Sequence, residues 1–104
     1  MTLSEFVNVL LSVSSAVYQD EANQEPDEYI VWTMVSDKTF RADNLEAECG
    51  MRINVRIFTT KGESELPKKL KIALMKADIA YEDFQYEYIP EQKYGIYSTF
   101  CEVE

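Results

Sequence analysis

Nineteen acidic residues, two cysteines and no histidine are what this chain of 104 residues offers to chemistry. Without histidine it lacks the usual general base at neutral pH, the usual metal ligand, and any Ser–His or Cys–His pair. Cys49 and Cys101 lie far apart and form no CxxC motif. With no activating partner in sight, both read as reduced thiols, not nucleophiles. Gly50, Gly62 and Gly95 stand singly and read as turn residues, so no glycine-rich loop to cradle a phosphate is expected.

The carboxylates are more suggestive. Asp20, Glu21, Glu25, Asp27 and Glu28 cluster within one short stretch. They could bind a divalent cation weakly, but they lack the ordered alternation of a calcium loop, and a solvated acidic loop is the simpler reading. Hydrolysis by carboxylates alone needs two acids held opposite each other, and nothing in the spacing does that. The sequence therefore predicts a non-enzyme with no cofactor and no metal.

Formal net charge is −9. A phosphate-binding face must be basic, so direct nucleic-acid binding is not expected. The charge is also unevenly distributed. Residues 1–37 hold seven acids and no base, residues 38–77 are net basic, and residues 78–104 have Lys93 as their only base. Ordinary solvated surface accounts for this; so does a monomer whose patches complement those of its neighbour.

These residues need a scaffold, and the length fits one domain. The apolar stretch from Phe6 to Val17 is broken by Asn8, Ser12, Ser14 and Ser15 and has no basic residue before it. Neither a secretory signal nor a membrane span is expected, and the predicted location is the cytosol or a particle assembled there. Thr2-Leu3-Ser4-Glu5 reads as a capping box opening a helix over residues 3–18. Ser4, Asn8, Ser12, Ser15 and Gln19 form a small uncharged stripe on it, opposite Leu3, Phe6, Val7, Leu10, Val13, Val17 and also Leu11. Such a stripe suits a partner surface or a buried helix equally well.

Residues 19–28 read as an exposed loop and Tyr29 to Val35 as a strand. Ser36 to Gly50 reads as a short strand or extended arm followed by a turn at Asp43-Asn44. Met51 to Thr60 alternates cleanly, with Met51, Ile53, Val55 and Ile57 facing one way and Arg52, Asn54 and Arg56 the other. Ser64 and Pro67 open a helix over 65–78 whose apolar face is Leu66, Leu70, Ala73, Leu74 and Ala77. Tyr81 to Ile89 and Ile96 to Val103 read as a terminal hairpin. Its tyrosines could pack on the sheet or meet a partner, and Trp32 favours the core. The expected fold is α+β in the order α-β-(β)-β-α-β-β, a mainly antiparallel sheet of four to five strands with both helices on one face.

This succession resembles the small tail-completion (tail-terminator) proteins of long-tailed bacteriophages. The likeness rests on the first helix, the strand Tyr29-Ile30-Val31-Trp32, the Ala42-Asp43-Asn44 turn and the strand Ile53 to Thr60 running into Lys61. It continues through the helix with Leu70 and Leu74 and the tyrosine-rich hairpin ending Phe100-Cys101-Glu102-Val103. The resemblance implies a subunit of a homo-oligomeric ring, commonly a hexamer, at the head-proximal end of the tail. Such a ring stops tube growth and joins tail to head, contacting tail-tube and head-connector proteins. It implies no cofactor, no catalytic residue and no membrane, with assembly in the host cytoplasm before residence in the virion tail. The candidate contacts are Glu25, Asp27 and Glu28 in the acidic loop, Phe40, Arg41 and Asp43 in the extended segment, and Arg52 and Arg56 on the basic strand face. An alternative is a small acidic inhibitor that occupies a basic nucleic-acid-binding site on another protein.

Overall fold

A computed structural model describes residues 2–39 and 49–103 of the chain. The elements run α1 (Leu3–Val13), β1 (Val17–Gln19), β2 (Glu28–Thr39), β3 (Cys49–Thr59), α2 (Leu66–Lys76), β4 (Ala80–Tyr81), β5 (Gln85–Ile89) and β6 (Tyr94–Val103). The six strands make one sheet in the order β1-β2-β3-β6-β4, with β5 also pairing to β6. Among the described residues only β1 and β2 pair in parallel; the other pairs are antiparallel. The α+β class and the mainly antiparallel sheet are as expected, with six strands in place of four to five.

Strand alternation sorts side chains onto two faces. Ile30 pairs with Ile57 and Trp32 with Val55, while Ile53 pairs with Cys101 and Ile57 with Tyr97. These residues face the helices, and Phe6 and Leu10 of α1 join Leu66, Leu70 and Leu74 of α2 in the same buried cluster. Both helices therefore cover one face, each through its apolar stripe. The capping box of α1 is present: the Glu5 N–H donates to the Thr2 hydroxyl at 3.2 Å, and the Thr2 N–H donates to the Glu5 carboxylate at 3.1 Å.

The first helix is shorter than expected, ending at Val13. Ser14 is extended (φ −147°, ψ 142°) and its hydroxyl accepts from the Ala16 N–H at 3.2 Å. A serine that bonds locally to the backbone competes with helix continuation, and the chain leaves as β1. There Val17 packs into the main core while Tyr18 reaches the other face of the sheet. Parallel strands normally need a connection of a dozen or more residues. Here residues 20–27 suffice, because β1 is three residues long and the connection crosses over the sheet without a helix.

That crossover covers a second cluster on the outer face, formed by Tyr29, Val31 and Tyr94 with Ala16, Tyr18, Ala22 and Phe58 around them. Tyr29 stacks on Phe58 at 4.7 Å with the planes 7° apart. Tyr94 stands edge-on to both, at 5.7 and 6.2 Å.

The stretch Tyr81 to Ile89 is not one strand. It breaks into β4 and β5, because the Glu82 N–H donates to the Phe100 carbonyl at 3.0 Å while the Thr99 hydroxyl donates to the Glu82 carbonyl at 2.6 Å. Phe84 leaves the ladder there and packs edge-on to Tyr81 at 5.9 Å. β5 and β6 then form the expected hairpin. At the far end, β2 continues to Thr39 and pairs with Cys49 to Arg52 after a register shift between Met34 and Ser36. The predicted turn of this segment, with Phe40, Arg41 and Asp43, lies outside the described residues.

Candidate subunit interface

β3 carries the basic outer face foreseen from the alternation, and the fold supplies that face with partners from its own chain. Arg52 pairs with Glu82 at 2.6 Å and with Glu102 at 3.2 Å, and its guanidinium lies 4.5 Å from the Phe100 ring centroid. Both carboxylates are well exposed, so each pair contributes little to stability. Together they nevertheless answer the positive charge that Arg52 would present to a neighbour.

Arg56 is half-buried beside the crossover. Its guanidinium lies 5.7 Å from the Phe58 ring centroid, and Nη2 donates to the Asp20 carbonyl at 3.5 Å. Nε is buried and has no hydrogen-bond partner among the described residues. The crossover thus leans on Arg56 within the same molecule.

Glu28 is also engaged internally. Its carboxylate accepts from the hydroxyls of Ser64 and Thr59, the latter at 2.9 Å, and pairs with Lys61 at 3.3 Å. Burial alone would push this carboxyl up, but the hydrogen bonds from Ser64, Thr59 and Lys61 together hold it below its usual value. A depressed carboxyl adds stability that is present above its unfolded value, about 4.5, and lost as pH falls through the folded one. Glu28→Gln is therefore expected to lower stability near neutral pH and to approach the wild type as pH falls through the folded value. Urea midpoints across that range check this, and parallel curves would show that the charge of Glu28 does not matter to the fold.

Glu25 and Asp27 differ from these three residues. Both are exposed, and among the described residues neither carboxylate enters an ion pair. Only their backbone carbonyls are used: Tyr94 donates its hydroxyl to Glu25 at 3.3 Å and to Pro26 at 2.9 Å, and Thr60 donates its N–H to Asp27 at 3.0 Å. The loop is pinned by its backbone with its acids turned outward. Asp20 and Glu21 are exposed on the same segment.

The anchoring role of Tyr94 could not be found from local sequence, since its partners lie 68 and 69 positions away. A second missed feature is on α2. Ile72 and Met75 fall off its buried stripe and are exposed, beside Lys68, Lys69 and Lys76. Apolar residues off the stripe were the available signal.

No group of metal-ligating side chains occurs among the described residues, and no described helix is long and apolar enough to cross a membrane. Cys101 is a free, buried thiol, and burial pushes it up to about 12. It is protonated at neutral pH and a poor nucleophile. What the arrangement can do is present surfaces: an acidic loop fixed over one face of the sheet, and a helix layer with lysines on the other.

No family model matches the chain, and no curated protein does. Solved structures do: 11 chains match. One of them belongs to the virion of a native gene transfer agent particle, with a TM-score of 0.57 and 13% identity, over 91% of this chain and 82% of that one. At that identity the likeness shows a shared fold.

Proposed function

We propose that this chain is a structural subunit of a phage-like particle. The observation that carries this reading is the fold shared, over nearly its whole length, with a chain of a gene transfer agent virion. A chain without histidine, with no metal-ligating group among its described residues, is consistent with a role in binding rather than catalysis. More specifically, the subunit closes into a homo-oligomeric ring at the head-proximal end of a tail, where it stops tube growth and joins tail to head. It assembles in the host cytoplasm and remains in the virion. Its neighbours are further copies of itself and the tail-tube and connector proteins.

Within this reading Glu25 and Asp27 are the contacts most available to a neighbour. Glu28, Arg52 and Arg56 would have to exchange a partner inside the chain for one outside it. The role of Phe40, Arg41 and Asp43 as further contacts is part of the same proposal.

The test is absolute molar mass by light scattering over a wide concentration range at two salt levels. A discrete species several times the 12.1 kDa monomer, growing in with concentration, is the expected result. A strict monomer under every condition would remove the ring. If that monomer also bound a basic nucleic-acid-binding protein tightly, the acidic-inhibitor reading would replace it.

A further inference from the structure

Two surfaces of opposite character lie on different faces of the sheet and approach each other at one end, where Pro26 of the loop and Lys69 of the groove line one pocket with Glu63 and Glu65. On the helix side, α2 carries Lys68, Lys69, Lys71 and Lys76. The Lys71 ammonium lies 5.2 Å from the Phe84 ring centroid, and the other three enter no ion pair among the described residues. An open groove of about 550 Å³ runs between α1 and α2, its walls including Val9, Ser12, Val13, Lys69, Ile72 and Lys76. Ile72 is 45% exposed and Met75 69%. Of the exposed residues of α1, Ser4, Asn8, Leu11 and Ser12 are uncharged, and Glu5, one turn before Val9, is acidic.

On the other side of the sheet lies the crossover. Asp20, Glu21, Glu25 and Asp27 are all exposed, and none enters an ion pair among the described residues. Tyr94 holds the loop's backbone in place. An acidic surface held in one shape loses little conformational freedom when it docks. The groove complements it, with apolar side chains on which water is poorly held and lysines at positions 69 and 76 on either side of Ile72.

We propose that the α1–α2 groove is the docking site for the acidic loop, residues 20–27, of a second copy of this chain. The proposal rests on the ring reading above and gives it an interface. Helix face to loop face joins two different patches, so the contact is heterologous, and each bound copy still offers one free groove and one free loop. That is the connectivity a ring requires. A two-fold dimer would bury both patches at once and stop.

The geometry makes a mixing experiment decisive. One variant carries Lys69→Glu and Lys76→Glu, leaving its groove and loop both acidic. The other carries Glu25→Lys and Asp27→Lys, which keeps its groove basic and sets two lysines against Asp20 and Glu21, removing the loop's net negative charge. Each alone is expected to self-associate at least about tenfold more weakly than wild type, with the difference shrinking at high salt. An equimolar mixture is expected to recover assembly, because each variant's groove now fits the other's loop. All four residues are exposed, so both variants are expected to fold, with circular dichroism as the check. Should either reversal perturb the fold, the milder pairs Lys69→Ala with Lys76→Ala, and Glu25→Gln with Asp27→Asn, test the loss of association without adding charge.

The readout is mass by light scattering. If wild type assembles and both variants assemble equally well, the groove and loop are not the interface, although the ring reading stands. If the variants lose assembly but the mixture stays monomeric, the two patches do not meet each other, and the proposal is overturned. If wild type is monomeric throughout, the ring reading fails and takes the interface with it.

Discussion

Phe6→Ala is expected to destabilise the chain by about 3–5 kcal/mol. Phe6 is fully buried on α1, in one cluster with Leu10, Ile30, Val55, Ile57, Leu70 and Leu74. Its ring shares one buried cluster with residues of both helices and the sheet. A domain has about 5–15 kcal/mol of stability in total, so the variant should be substantially unfolded at modest urea. Trp32 is the chain's only tryptophan and lies buried in the same cluster, so its fluorescence reports the transition directly. Leu11→Ala is the control, on the same helix but 47% exposed, and should shift stability by no more than about 0.5 kcal/mol. Similar midpoints for the two variants would mean that α1 does not dock on the sheet through Phe6.

Helical spacing put Phe6 and Leu11 alike on the apolar side of α1, and only the fold tells them apart, one buried and the other 47% exposed. Helical spacing placed Phe6 and Leu10 on the core side, and period-two alternation gave β3 its inward and outward residues. Both signals are local. The end of α1 was harder, because Val17 continues the apolar stripe and nothing local distinguishes a helical valine from one in a strand. The deciding contact is with Ile30 of β2, which only the folded sheet provides. The run from Tyr81 to Ile89 failed for a similar reason: Glu82 is drawn out of register by Phe100 and Thr99 across the sheet.

The candidate contacts divide along the same line. Glu25 and Asp27 could be read as exposed acids from composition alone, and they are exposed. The surroundings of Arg52 depend on Glu82 and Glu102, 30 and 50 positions away, so a basic strand face in the sequence gave no sign of being partnered in the fold. Lys68, Lys69, Lys71 and Lys76 stand off the apolar stripe of α2 in the sequence itself. The groove beside them needs the packing of α1 against α2 to exist, and that packing follows from both helices seeking the same sheet face.

Tyr94 is where fold and interface meet, and its truncation is the other large effect to expect. Tyr94→Ala removes a buried ring packed edge-on to Tyr29 and Phe58 and should destabilise by about 3 kcal/mol or more. Tyr94→Phe keeps the ring and removes only the hydroxyl that donates to the Glu25 and Pro26 carbonyls. Those residues are exposed, so water can replace the lost donor, and the expected loss is only about 0.5–1.5 kcal/mol. Burial, with Glu25 and Asp27 close by, pushes the Tyr94 hydroxyl up, and burial above all pushes Tyr29 up to about 12. Groups raised in the folded state contribute stability that is complete below their unfolded value, about 10, and lost as pH rises through the folded one. Wild type should therefore weaken above about pH 10, and Tyr94→Phe should weaken less steeply there. The same variant separates shape from charge. It keeps every carboxylate of the loop but releases the Glu25 and Pro26 carbonyls, leaving the loop held at Asp20 and Asp27, so self-association should fall a few-fold at unchanged net charge. If light scattering instead shows full association by Tyr94→Phe, the acids of the loop bind without needing a fixed shape, and the hydroxyl serves the fold alone.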